Sequence, residues 1–140
     1  MRLITIIFLL ILSVGFIIKK DTNKIANELN GIWIPTRQEF GGKEFPESVY
    51  EKQTLTIENN KYTVVAESTD KGELTYENGK MDIYGKEGVN EGKHFMAIYK
   101  MENDKLTICY NLAGDSYPEA FETKAKPMLF LSEFKKEQTK

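Results

Sequence analysis

The chain contains one histidine and one cysteine, so any nucleophilic or acid–base chemistry built on these residue types has few candidates. A Ser-His-Asp arrangement would have to use His94, which lies beside Lys93 at the predicted start of a strand. Such a triad needs a positioned nucleophile and an orienting carboxylate, and the sequence marks neither. We therefore interpret His94 as a solvated residue at a strand end, with a general base as the alternative.

The cysteine, Cys109, lies in the strand-like run Leu-Thr-Ile-Cys-Tyr and has no cationic or histidine neighbour in sequence. This context predicts a packed small apolar side chain rather than a reactive thiol. One cysteine also excludes an internal disulfide. Because Cys109 lies far from the N-terminus, lipid attachment of the bacterial lipoprotein type is excluded as well.

Other catalytic patterns are equally weak. One histidine, one cysteine and scattered carboxylates give no metal-ligand spacing, and the chain has no P-loop and no G-x-G-x-x-G motif. A pair of carboxylates could serve a glycosidase, but 21 acidic residues produce such pairs by chance. We predict no catalytic residue, no metal, no cofactor and no enzymatic activity.

The N-terminus predicts export. Residues 3–18 form an apolar run flanked by Arg2 and by Lys19 and Lys20. The run is short for a membrane span of about 20 residues, and its nearest small-residue cleavage pattern, residues 13–15, lies inside it. We favour a signal peptide over an uncleaved anchor in residues 1–20, and a buried core helix fits the flanking charges less well. Residues 21–140 form the predicted exported domain, in the periplasm, in the envelope or outside the cell.

The charge of this domain excludes two classes of partner. The 140 residues include 19 basic and 21 acidic side chains, and three of the basic ones fall within residues 1–20. The remaining mildly acidic domain has no basic stripe for nucleic acid and no polybasic patch for a membrane surface. Membrane contact is therefore expected only through an uncleaved N-terminal segment.

The domain has the period-two pattern of antiparallel strands. After a short predicted helix at residues 21–30, alternation begins at Gly31 and continues through hairpins turned at residues 59–60, 78–79 and 103–104. Residues 119–123 and 128–134 supply the last two predicted strands. Eight or nine short strands predict an all-β, antiparallel up-and-down barrel, with residues 85–92 as a mobile loop at one mouth.

Two stretches carry a family resemblance. Gly31 and Trp33 open the first strand as in the G-x-W start of lipocalin-like barrels. The longer stretch comprises Glu87, Gly88, Gly92, Lys93, Ala97, Ile98, Tyr99, Asp104, Leu106, Ile108, Cys109, Pro118 and Phe121. Over residues 28–136 the chain resembles the lipocalin-like domain of uncharacterised exported bacterial proteins first grouped in planctomycetes. The resemblance implies an eight-stranded barrel and no catalytic residues.

One departure concerns the barrel base. True lipocalins usually pack an arginine from near the last strand on the tryptophan, whereas the arginines here are Arg2 and Arg37. Lys135 or Lys136 would have to substitute, and lysine is not equivalent to arginine over an aromatic face. A short barrel can also be filled by its own side chains.

The aromatic residues provide the candidate ligand site. Alternation places Tyr99 and Met101 on the less polar face of one strand, with Ile108 and Tyr110 opposite them. Core packing is the more common role of such tyrosines, but an aromatic cavity with a few polar groups is also typical of a small-molecule site. The predicted ligand-binding residues are Trp33, which is expected to plug one end, Tyr62, Tyr99, Met101, Ile108 and Tyr110.

The sequence therefore predicts a non-enzymatic binding protein for a small apolar or amphipathic molecule. The alternative is a protein-interaction module of the cell envelope with the same shape, a filled barrel and a functional surface. A hydrolase, the third possibility, would require His94 or two carboxylates to converge inside a pocket.

Overall fold

The computed structural model describes residues 27–140. The predicted signal or anchor at residues 1–20 and most of the predicted helix at residues 21–30 lie outside this part. Residues 27–29 form a turn rather than the end of a helix.

The regular secondary structure of the described chain consists of β-strands and one short helix. The strands are β1 (Gly31–Phe40), β2 (Lys43–Glu44), β3 (Thr54–Glu58), β4 (Lys61–Val65), β5 (Thr69–Glu77), β6 (Lys80–Glu87), β7 (His94–Glu102), β8 (Lys105–Asn111) and β9 (Leu129–Lys136). Helix α1 (Glu47–Tyr50) lies between β2 and β3. Within residues 27–140, no helix is both long enough and apolar enough to cross a membrane.

The strands form a closed antiparallel barrel. Each strand from β3 to β9 pairs with its neighbour in sequence, and β1 pairs with both β3 and β9. Eight strands thereby close the barrel, while β2 adds a short extra strand at the end of β1. Closure leaves no long unpaired edge, which is the physical reason to expect a barrel from a meander of this kind. The predicted up-and-down barrel is confirmed.

Three two-residue turns define one end of the barrel. Asn59 and Asn60 join β3 to β4, residues 78–79 join β5 to β6, and residues 103–104 join β7 to β8. All six residues have positive φ, which two-residue hairpins of type I′ require and which asparagine, aspartate and glycine tolerate best. We call this end, together with residues 27–30, the closed end.

The opposite end carries the longer connections, and we call it the open end. The longest of them, residues 112–128, contains no strand, so the predicted strand at residues 119–123 is wrong. This segment instead crosses the outside of the barrel. Phe121 packs against an outer cluster that contains Cys109 and Leu131, and the hydroxyl of Tyr117 donates to Asp82 on β6 at 2.6 Å.

Side chains alternate between the barrel interior and this outer layer. Tyr99, Ile108 and Met101 belong to the inner core, whereas Ile98 and Cys109 belong to the outer cluster. The predicted inward face of β7 and β8 is therefore confirmed. The interior differs between the two ends, and that difference produces the candidate site.

Candidate functional site

Buried side chains surround Trp33 at the closed end. The Trp33 side chain is fully buried, and its indole nitrogen donates to the carbonyl oxygen of Leu29 at 2.9 Å. The rings of Tyr76 and Tyr99 meet edge to face with centroids 5.6 Å apart. Leu106, also fully buried, completes the packing. The expected plug at one barrel end is present.

Lys136 supplies the cation at the barrel base. Its ammonium group lies 5.5 Å from the centroid of the Trp33 ring, within the range of about 6 Å for a cation–π contact. Of the two lysines considered as substitutes for an arginine, Lys136 therefore takes the position.

A cavity of about 260 Å³ occupies the interior towards the open end. Its walls come from successive strands and are apolar because inward positions on β3 to β8 carry aliphatic and aromatic side chains. The wall residues include Leu55, Ile57, Tyr62, Leu74, Met81, Ile83 and Ile108. For comparison, an apolar cavity of about 150 Å³ is large enough to hold benzene.

The mouth of this first cavity is formed by connections of the open end. They contribute Ala66, Ser68, Val89, Asn90 and Leu112. Among the described lining residues only Asp70 carries a charge. The cavity therefore offers an apolar interior with polar groups near its entrance, the arrangement typical of small-molecule sites.

Asp70 ties the mouth loop to the barrel wall. One of its carboxylate oxygens accepts hydrogen bonds from the Asn90 side chain at 3.0 Å and from the Tyr62 hydroxyl at 3.3 Å. The other accepts the backbone N–H of Asn90 at 3.3 Å. Burial raises the pKa of Tyr62, and the adjacent Asp70 charge raises it further, so this phenol remains a hydrogen-bond donor. The hydrogen bonds between Asp70 and Asn90 hold the loop at residues 88–93 across the mouth, and we call them the latch.

A second cavity of about 270 Å³ adjoins the first beneath α1 and shares four lining residues with it. Gln38 reaches this cavity because of an irregularity in β1: the pairing of β1 with β9 shifts register between Pro35 and Arg37. A bulge moves the following side chains to the other face. Gln38 is consequently buried, and its side-chain amide donates to Gln53 at 2.9 Å.

The structure brings three of the six predicted ligand-binding residues to these cavities. Tyr62, Ile108 and Tyr110 line the first cavity, and Tyr110 lines the second as well. Trp33, Tyr99 and Met101 belong to the inner core near the closed end and line neither cavity. Alternation gave the correct face of each strand but carried no information on position along the barrel axis.

Several lining residues were not predicted from the sequence. Val89 and Asn90 belong to a segment that was predicted only as a mobile loop at one mouth. Their place at a mouth agrees with that prediction, but the Asp70 contacts depend on long-range packing. Ser132 and Gln38 are polar residues in strands, and period-two reasoning gives no reason to select them.

His94 lies outside both cavities, on the outer side of the barrel. Its Nε2 atom is 2.7 Å from Asp82, and its ring stacks on Tyr84 with centroids 4.6 Å apart. Asp82 also accepts the hydroxyl hydrogen bond of Tyr117. His94 is thus a partly exposed member of an outer polar cluster, as its position at the start of β7 suggested.

Cys109 is fully buried in the outer cluster. Burial raises the pKa of its thiol to about 11, although the charge of Lys126 and a backbone hydrogen bond at Glu122 act in the opposite direction. A protonated, inaccessible thiol behaves as a small apolar side chain, as the sequence predicted. Within residues 27–140, no three histidine, cysteine or acidic side chains are grouped closely enough to hold a metal ion.

The comparisons with known proteins identify no relative of this chain. No family model matches the chain, and no curated protein or solved structure is significantly similar to it.

Proposed function

We propose that this protein is an exported, non-enzymatic binding protein that holds a small apolar or amphipathic molecule in the first cavity. The observation that carries the proposal is the unfilled apolar interior of about 260 Å³ at one end of a barrel whose other end holds buried side chains such as Trp33 and Leu106. A barrel that served only as a scaffold would gain stability from filling this space, because cavities cost packing energy.

The position of the cavity also favours a ligand role. Its mouth is bordered by the latched loop at residues 88–93 and by the turn after β4. The proposed ligand would enter between these connections and exchange its hydration for contact with aliphatic and aromatic walls. Burial of apolar surface stabilises such a complex by about 25 cal/mol per Å² before the cost of association is subtracted.

Titration with the neutral fluorescent probe N-phenyl-1-naphthylamine tests this proposal. We expect saturable binding by the folded parent, with fluorescence enhancement as the probe leaves water. Ala66 is exposed and lines the cavity at its mouth, so the side chain introduced by Ala66→Trp should occupy part of the space for the ligand and weaken binding by about tenfold, equivalent to about 1.4 kcal/mol. The matched control is Ala120→Trp, at an exposed alanine of the outer segment, and it should bind as the parent does. Absence of saturable binding by the folded parent would refute the proposal.

An interaction module of the cell envelope is the second candidate, and one observation favours it. Within residues 27–140, four of the six large apolar side chains that are exposed lie in segments of the open end: Val49, Val65, Val89 and Met128. Exposed apolar groups around one end of a domain are typical of contact surfaces. A folded parent that fails to bind the probe would favour this candidate.

A further inference from the structure

The second cavity differs from the first in the polar groups of its lining. It shares Leu55, Val64, Tyr110 and Phe130 with the first cavity. Beyond these it is lined by the polar residues Gln38, Gln53, Thr54 and Ser132 together with aromatic and aliphatic side chains. The two cavities are thus neighbouring compartments, and the rings of Tyr110 and Phe130, with centroids 5.7 Å apart, stand between them.

Ser132 has an unpartnered hydroxyl in this compartment. The residue is fully buried on β9, and its hydroxyl oxygen makes no hydrogen bond with any described residue. Buried side-chain polar atoms in folded proteins nearly always have a partner, and leaving one without a partner is unfavourable. A ligand group that donates to or accepts from this hydroxyl would satisfy it.

The charges around the compartments restrict the chemistry of that group. No described residue lining the second cavity is charged, and the one charged residue lining the first, Asp70, is acidic. A carboxylate placed at Ser132 would lose its hydration without gaining a cation, which is strongly unfavourable. An ammonium group would lack a counter-ion there for the same reason. A neutral hydroxyl or amide meets neither obstacle.

We propose that the ligand is a neutral amphipathic molecule whose apolar body fills the first cavity and whose uncharged hydroxyl or amide group binds Ser132 in the second. The inference rests on the proposed function and adds the chemical class and orientation of the ligand. The Ser132 hydroxyl is buried, so side chains that line the compartments must move for the head group to reach it. Gln38 and Gln53, already hydrogen-bonded to each other, border the same space.

Competition against N-phenyl-1-naphthylamine with 1-octanol, octanoate and octane at pH 7.5 tests this proposal, because octanoate is ionised at that pH. We expect octanol to bind at least tenfold more tightly than octanoate. Ser132→Ala should lower the affinity for octanol by about threefold to tenfold, the range of one hydrogen bond. The affinity for octane should not change, because octane has no head group.

Ser48→Ala is the matched control, since Ser48 is exposed and lines neither cavity. It should leave octanol binding unchanged. The proposal is overturned if octanoate binds as tightly as octanol, or if Ser132→Ala leaves the ratio of octanol to octane affinity unchanged. It is also overturned if Ser68→Ala, at the mouth of the first cavity, lowers that ratio while Ser132→Ala does not, because the head group would then lie at the mouth. If octane binds but one of these outcomes is found, the proposed binding function stands and only the head-group proposal fails. If the probe itself does not bind, both the binding function and the head-group proposal fail.

Discussion

Trp33 joins the three strands that close the barrel. Its backbone pairs with Leu55 on β3 and with Lys136 on β9, while its side chain is fully buried and hydrogen-bonded to Leu29. A buried aromatic residue at such a junction contributes both packing and closure. Its removal therefore tests how much of the stability depends on the closed end.

Trp33→Ala should lower the free energy of unfolding by about 3–5 kcal/mol, because it removes a buried aromatic side chain and leaves a cavity. Urea denaturation followed by circular dichroism measures this change. The neighbouring variant Ile32→Ala is the control, since Ile32 is 39% exposed, and it should cost less than about 1 kcal/mol. Equal losses in the two variants would contradict the account of the closed end.

At the residue scale, sequence reasoning identified buried positions where alternation is regular. It found Tyr62, Ile108 and the partly buried Tyr110 because aromatic and aliphatic residues at period two mark an inward face. Trp33 was placed through the G-x-W resemblance. Sequence reasoning could not find Gln38, since one extra residue in β1 changes which side chains face inward. Strict alternation gave no warning of that bulge.

Short connections between strands were predicted correctly from the sequence, whereas the longest connection was not. Each closed-end hairpin is specified locally by two residues that tolerate positive φ, so residues 59–60, 78–79 and 103–104 were all predicted as turns. The segment at residues 112–128 is specified by distant contacts, including the hydrogen bond from Tyr117 to Asp82. Local pattern could not predict its course, and a strand was wrongly assigned there.

The loop at residues 88–93 is the element whose mobility should control access to the cavity. It packs so closely on Gly85 that a Cβ atom there would lie 1.8 Å from the carbonyl oxygen of Asn90. Asp70 adds bonds to the backbone and the side chain of the same residue. The contacts of Asn90 with Gly85 and Asp70 therefore hold the loop against the barrel, and single substitutions can remove them separately.

Asn90→Ala should loosen this loop, because it removes the side-chain hydrogen bond to Asp70. A loss of about 1 kcal/mol corresponds to roughly fivefold faster amide hydrogen exchange in residues 88–93. Faster probe dissociation should accompany it, while exchange in β7 and β8 stays as in the parent. Glu91→Ala, at an exposed position of the same loop, is the control and should change neither rate. Exchange unaffected by Asn90→Ala would show that the latch does not hold the loop.

At the scale of the whole molecule, the barrel has two unlike ends. Hairpin spacing in the sequence was sufficient to predict a closed barrel of about eight strands, and closure by β1 and β9 confirms it. Whether such a barrel is filled depends on how side-chain volumes from eight strands meet in three dimensions. That property has no local signature, and it decides between a ligand carrier and a filled module.

The most direct test of the central claim locates the probe inside the protein. Isotope-filtered nuclear Overhauser spectra of methyl-labelled protein with N-phenyl-1-naphthylamine report which side chains lie against it. We predict contacts with Leu74, Ile83 and Ile108, which line the first cavity, and none with Leu106 at the closed end. Contacts confined to Leu106, or to Leu131 in the outer cluster, would contradict the account.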